Sequence, residues 1–323
     1  MNTEINNQNK NVRGEFLMDK NYSIARRIWR ILYPPLIFIG IQIVVMAIAS
    51  FAVGMYAALN AFSGGTGFGD LEHIIEEALS IVVKQSMLIL LISNLASIAV
   101  FLPIWMKTRN RAEIYKNENP AIVCLLIIGL FAGFNVVQML IFALMDVMKY
   151  FPDYEEISGM IVTGPLIVQL ISVGFVAPIV EELVFRGILI TRMKWMPVWA
   201  AVLVQGFIFG LVHMNVFQGL YAFVAGILLG IVFIKFRSII VVIAGHVAYN
   251  IVSILLSEIV SEEVIGIVVI LSIVVLALCA TFTAIIKKAK RLMIQQDNLP
   301  RPVFPPGYSL PGYIPQGPWS GQT

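Results

Sequence analysis

Eight apolar runs divide this chain: Tyr33–Leu59, Ser86–Met106, Ala121–Val147, Ile161–Ile190, Val198–His213, Val216–Phe236, Ile239–Val260 and Val264–Ile286. A helix that crosses the hydrocarbon core of a bilayer needs about 20 mostly apolar residues. Within that core each backbone N–H and C=O must be paired inside the segment, which an α-helix does and an open strand does not. Of the 323 residues 59% are hydrophobic and only 13% are charged. A soluble chain carries about 25% charged residues, so a cytosolic enzyme, a disordered chain and a secreted disulfide scaffold are excluded. The sequence predicts an all-α, polytopic transmembrane bundle of about eight helices. The first run is long and lacks a small-residue cleavage site, so it reads as a true span and not as a removed signal peptide. Cys124 and Cys279 each lie in an apolar run and read as core residues rather than as a bridge or metal site.

Charge placement gives the expected orientation. Of 22 lysines and arginines, 19 collect on one side if eight spans alternate: in residues 1–32, in 107–120, in 191–197, in the turn holding Lys235 and Arg237, and in the tail after Ile286. Cytoplasmic loops are where such residues concentrate, so both termini are expected in the cytoplasm. The opposite loops carry Asp70, Glu72, Glu76, Glu77, Asp153, Glu155, Glu156, Glu258, Glu262 and Glu263. The net charge of +3 thus reads as topology and not as a surface for nucleic acid.

Residues 1–32 form an N-terminal segment, 33–286 the membrane domain and 287–323 a tail. Residues 71–85 are expected to form an amphipathic helix on the outer membrane surface, with His73 as a solvated residue. The stretch 300–323 holds seven prolines and repeats Pro-Gly-Tyr. It is expected to be disordered in the cytoplasm, either as a plain tail or as a docking peptide for a partner.

Polar residues inside spans narrow the search for function, because a charge near the bilayer centre costs about 2.5–3.5 kcal/mol on insertion scales. The fourth run contains Glu181, Glu182 and Arg186, the fifth Gln205 and His213, and the seventh His246 and Asn250. The third contains Asn135 and Gln138, with Asp146 at its end. Glu182 and Arg186 are four residues apart with the acid first, the favourable order for an ion pair on one helix face. Glu181 points about 100° away. Arg186 can therefore hold one carboxylate and leave the other as a tunable base. His246 and Asn250 share a face by the same spacing, and so do Phe209 and His213. Each piece has a plainer reading. The ion pair can lock helices, an intramembrane histidine can be a packing residue, and Asn250 can be interhelical glue of about 0.6 kcal/mol. Gly206 and Gly210, like Gly226 and Gly230, allow close helix approach. Together, a free carboxylate and two imidazoles on three of the last five runs exceed what packing requires.

The segments Glu181-Glu182-Leu-Val-Phe-Arg186, Phe209-Gly-Leu-Val-His213 and His246-Val-Ala-Tyr-Asn250 resemble the signature of the CPBP family, the CAAX prenyl endopeptidases and bacteriocin-processing or immunity membrane proteases. The family pattern is EExxxR, FxxxH and HxxxN or HxxxD on successive apolar segments. The resemblance covers residues 120–260 and implies an intramembrane endopeptidase with a peptide or membrane-protein substrate. By motif position it implies that Glu181 is the general base and that His213 holds the water. It further implies that Glu182 and Arg186 orient the site, and that His246 and Asn250 donate to the oxyanion. It leaves open a divalent metal such as zinc on Glu181, His213 and His246, or no cofactor. No HExxH motif is present.

Two competing functions are a non-catalytic immunity or scaffold protein of the same fold, and a proton-coupled transporter using Glu181 and His213. Intact motif residues argue against the first, and the lack of paired broken helices in two halves against the second. The expected location is a bacterial cell membrane, as a multi-pass protein in contact with lipid. One geometric demand stands out. Straight helices would put Glu181 about 14 Å, His246 about 10 Å and His213 about 23 Å from the cytoplasmic end of their runs. A shared site therefore needs the fifth helix to tilt, to start later than Val198 or to enter a wet cavity.

Overall fold

The computed structural model describes residues 23–63, 71–108, 120–145, 147–151 and 164–259. Their order is α1 (Ile24–Ser63), α2 (Leu71–Lys84), α3 (Ser86–Thr108), α4 (Pro120–Leu144), a short 3-10 turn (Val147–Tyr150), α5 (Leu166–Ile190), α6 (Val198–Leu211), α7 (Val216–Phe236) and α8 (Ile239–Ile259). No strand occurs among the described residues. The apolar run 264–286, Cys279, Asp146, the segment 1–22 and the proline-rich stretch 300–323 lie outside them.

The all-helical expectation holds. Six of these helices, α1, α3, α4, α5, α7 and α8, are long and apolar enough to cross a membrane. The fifth apolar run behaves differently from the expectation. Its helix, α6, has 14 residues and ends at Leu211. At 1.5 Å per residue that is about 21 Å, short of a hydrocarbon core of about 30 Å. His213 therefore sits in the turn after α6, not within a full span. The segment 71–84 forms the expected amphipathic helix, with Ile74 buried and Leu71, Ile75 and Leu79 exposed on the surface.

The core is drawn from α3, α4, α5, α6, α7 and α8, with Phe101, Ile127, Phe131, Val184, Phe185, Phe209, Leu229 and Val242 inside it. Helix α1 joins this core through its first half, where Ile31, Pro34, Pro35 and Phe38 are buried; in its second half Ala57 is buried but Val44, Phe51 and Phe62 are exposed. Pro34 has no N–H, so the carbonyl of Arg30 four residues earlier lacks its helical donor. Arg192 Nη1, from the turn after α5, donates to that carbonyl at 3.0 Å. A second polar tie joins α1 to α3. Gln42 Nε2 donates to Asn94 Oδ1 at 3.0 Å, and the Ser93 hydroxyl donates to Gln42 Oε1.

Helices α6 and α7 form a hairpin that depends on missing side chains. A Cβ on Gly210 would lie 2.5 Å from the carbonyl oxygen of Gly219, and one on Gly226 would lie 3.1 Å from Gly206 Cα. The glycine spacing thus reports backbone contact, as its sequence reading implied. Because the obstacle at Gly210 is backbone, it cannot rotate away. Gly210→Ala is expected to lower stability by about 1–3 kcal/mol. The comparison is the melting temperature of the solubilised protein against Gly40→Ala, where an added Cβ meets nothing within 4 Å.

Candidate active site

Helix α5 carries the acidic pair on an unusual backbone. Residues Leu170–Val176 and Leu183–Ile190 are π-helical and flank a short α-helical piece, Ala177–Glu182. The N–H of Ala177 bonds the carbonyl of Ser172, five residues back. Such wide turns are rare and occur most often at functional sites. They leave backbone groups that neighbours must satisfy, and one is met from α8: Asn250 Nδ2 donates to the Val173 carbonyl at 2.9 Å.

Glu182 and Arg186 form the pair that their spacing predicts. Arg186 Nη1 lies 2.8 Å from Glu182 Oε1, and both side chains are fully buried. A buried charge needs partners on every side. Arg186 Nη2 donates to the Gly226 carbonyl on α7 at 3.1 Å, and its Cζ stands 4.6 Å from the centre of the Phe209 ring on α6. Gln205 Nε2, one turn before Phe209, donates to the same carbonyl at 2.7 Å. One guanidinium therefore ties α5 to α6 and α7.

His246 on α8 stands between the two acids. Its Nδ1 is 2.7 Å from Glu182 Oε1, and its Nε2 is 3.6 Å from Glu181 Oε2. Glu182 is closed off, whereas the Glu181 side chain keeps 16% exposure. One carboxylate is committed to a cation, as the spacing suggests, and its neighbour faces a histidine and stays partly exposed.

His213 completes the group. Its Nδ1 is 2.8 Å from the carbonyl of Phe209, in the last turn of α6. A carbonyl only accepts, so Nδ1 carries the proton and Nε2 of the neutral ring presents a lone pair. The contact also satisfies a carbonyl that the end of α6 leaves without a helical donor. The next residue, Met214, turns the chain at φ 56°, and Asn215 caps α7 by accepting from the Gln218 N–H. Phe209 stands edge-on to His213, His246 and Phe185, with ring centres 5.0, 5.8 and 5.0 Å away.

The depth problem resolves at Phe209. It lies eleven residues past the start of α6, about 17 Å along its axis, whereas Arg186 lies four residues before the end of α5, about 6 Å. The two touch, so α6 must begin well beyond the end of α5 or incline strongly to it. The seven-residue connection 191–197 is long enough for either, since an extended chain spans about 3.3 Å or more per residue. The helix does not start later than Val198.

The third-run residues divide. Gln138 accepts from the Tyr249 hydroxyl at 2.7 Å, beside the stacked rings of Phe134 and Tyr249. Asn135 is fully buried, with neither side-chain atom hydrogen-bonded. The sequence reading named Gln205 without giving it a role, and it missed Gln42, Ser93 and Asn94, which the same search for polar residues in spans would have found. For a metal, the chemistry of Glu181, His213 and His246 is suitable. Their placement is not: among the described residues no three His, Cys, Asp or Glu side chains stand where they could hold an ion.

These helices, with a buried acid–imidazole cluster among them, define an integral membrane protein. Residues 163–252 match the profile of the Rce1-like family, described as type II CAAX prenyl endopeptidase Rce1-like. That is a protease family, and the match spans all three motifs. No curated protein and no solved structure matches the chain.

Proposed function

We propose that the chain is an intramembrane endopeptidase that hydrolyses a peptide bond of a membrane-associated peptide or protein, in processing of the CAAX or of the bacteriocin and pheromone type. The observation that carries this reading is Glu181, the acid that Arg186 does not hold, lying 3.6 Å from the His246 imidazole within a stretch that matches a protease family.

In this reading Glu181 takes a proton from water as the water oxygen attacks the scissile carbonyl carbon. His213, with Nδ1–H committed to Phe209, offers its Nε2 lone pair to orient that water. The carbonyl π electrons pass to oxygen; His246 acts in this step as the imidazolium, with Nδ1–H on Glu182 and Nε2–H donating to the oxyanion, and the second N–H of Asn250 donates beside it. Collapse of the tetrahedral intermediate breaks the C–N bond, and Glu181 returns its proton to the leaving amine. Glu182 and Arg186 touch no reacting atom and are positioning residues, Glu182 by holding Nδ1 of His246. Residues 120–260 form the protease core, because α4 supplies the Gln138 contact to Tyr249.

The test is cleavage of a membrane-anchored peptide by the purified full chain in vesicles. Asn250→Ala is expected to slow the reaction by about 10²–10³-fold, the usual effect of losing one oxyanion donor. Absence of cleavage by the parent protein across a panel of membrane-anchored peptides, or an unchanged rate in Asn250→Ala, sinks this mechanism.

A further inference from the structure

We propose that residues 51–63 of α1 and the whole of α2 form a helical hairpin that stands clear of the bilayer and docks a cationic amphipathic peptide helix. Two counts place the hairpin outside the hydrocarbon. Arg26, Arg27 and Arg30 mark one headgroup level, and the run of about 20 residues that crosses the core from Ile31 ends at Ser50. The contacts of Phe38 with Phe101 and of Gln42 with Asn94 set α1 antiparallel to α3. Helix α3 starts at Ser86, eight residues before Asn94, and eight residues beyond Gln42 is again Ser50. Residues 51–63 therefore carry α1 about 20 Å past the start of α3. The 14 residues of α2, about 21 Å long, pack mainly against α1 and not against α3.

A hairpin this apolar is poorly suited to water on its own. Residues 51–63 hold no charged side chain. Phe51, Met55 and Leu59 form one exposed row on α1, and Leu71, Ile75 and Leu79 form another on α2. Two helices cover only the faces they turn to each other. Exposed apolar rows rimmed by polar residues mark contact sites. Charge decides the occupant. Glu72 and Glu76, both exposed, form the next row round α2, and Glu77 follows them. Lys84, at the foot of the hairpin, is the only lysine or arginine in residues 51–84. A second copy docked about a two-fold axis sets these acids against themselves, and an anionic lipid surface repels them too. A helix with an apolar face and a lysine- or arginine-rich rim covers the apolar rows and meets the carboxylates.

The surface lies apart from Glu181 and does not rest on the protease reading. The full chain in phosphatidylcholine nanodiscs is titrated with a fluorescent amphipathic helix of leucine and lysine, with empty discs as the blank. The probe is expected to bind the loaded discs, and more weakly as salt rises. A peptide with glutamate at each lysine position should bind about tenfold more weakly or worse, and so should one of the same composition without an apolar face. Glu72→Gln/Glu76→Gln should weaken the probe about three- to tenfold and flatten the salt dependence. Leu59→Ser/Ile75→Ser should weaken it about tenfold or more. All four positions are exposed, so the melting temperature of each variant should match that of the parent. Binding no better than to empty discs, equal binding of the glutamate peptide, or unchanged affinity in either double variant overturns the proposal. So does a dimer of the parent protein, seen by light scattering in neutral detergent, that Leu59→Ser/Ile75→Ser takes apart.

Discussion

Replacing Glu181 with glutamine is expected to slow peptide cleavage by about 10²–10⁴-fold, the range that a positioned general base contributes. The substitution keeps the shape and the acceptor oxygen but removes the group that takes the proton from water. It should leave the fold intact, because the structural anion of the pair is Glu182, which binds Arg186 at 2.8 Å. His213→Ala is expected to act in the same direction by removing the acceptor that orients the water. The decisive measurement is the initial rate with a vesicle-anchored peptide beside the melting temperature of each variant. Retention of the full rate in Glu181→Gln would falsify the assignment of the base. Equal losses of rate and of melting temperature would mean that Glu181 is a structural residue.

Arg186→Met is expected to have the opposite profile, lowering stability by about 3–5 kcal/mol, the usual cost of stranding one member of a buried ion pair. Three contacts disappear together: the bond to Glu182, the bond to the Gly226 carbonyl and the face of Phe209. What remains is a carboxylate with no exposure and one imidazole for company. Adding Glu182→Gln removes that stranded charge while keeping an oxygen for His246 Nδ1. The double variant Glu182→Gln/Arg186→Met should therefore be more stable than Arg186→Met alone. Thermal unfolding of the three proteins in one detergent measures this. A double variant no more stable than Arg186→Met would show that the stranded charge is not the source of the loss.

The residues of the cluster were legible in the sequence because charge inside an apolar run is conspicuous. Spacing by four sufficed for Glu182 with Arg186 and for Phe209 with His213, since each pair lies within one stretch of chain. Much of what holds the cluster together was not legible. The carbonyls of Gly226, Val173, Phe209 and Arg30 accept from Arg186, Asn250, His213 and Arg192. A backbone acceptor carries no signature in residue type. The π-helical turns of α5 were equally hidden, because an i→i+5 bond leaves no apolar period of its own in so short a stretch. Counting rise per residue from the ends of apolar runs put His213 too far from Glu181, because it treated each run as a straight, independent span. The tie between Gln42, Ser93 and Asn94 escaped for a different reason: amides and hydroxyls in a span stand out less than charges do.

Pro34 takes a hydrogen-bond donor out of α1, and Arg192 replaces it from more than 150 residues away along the chain. Neither side of that repair is complete alone. Without α1, the turn that follows the acidic helix loses the acceptor that fixes Arg192 and the ring beneath it. Without that turn, α1 carries an unanswered carbonyl next to the buried Ile31 and Pro34. The stretch that matches the protease family begins at 163, so it leaves out α1 and the carbonyl that Arg192 binds. A truncation that keeps all three motifs and discards the first helix would cut through the support of the site it was meant to isolate.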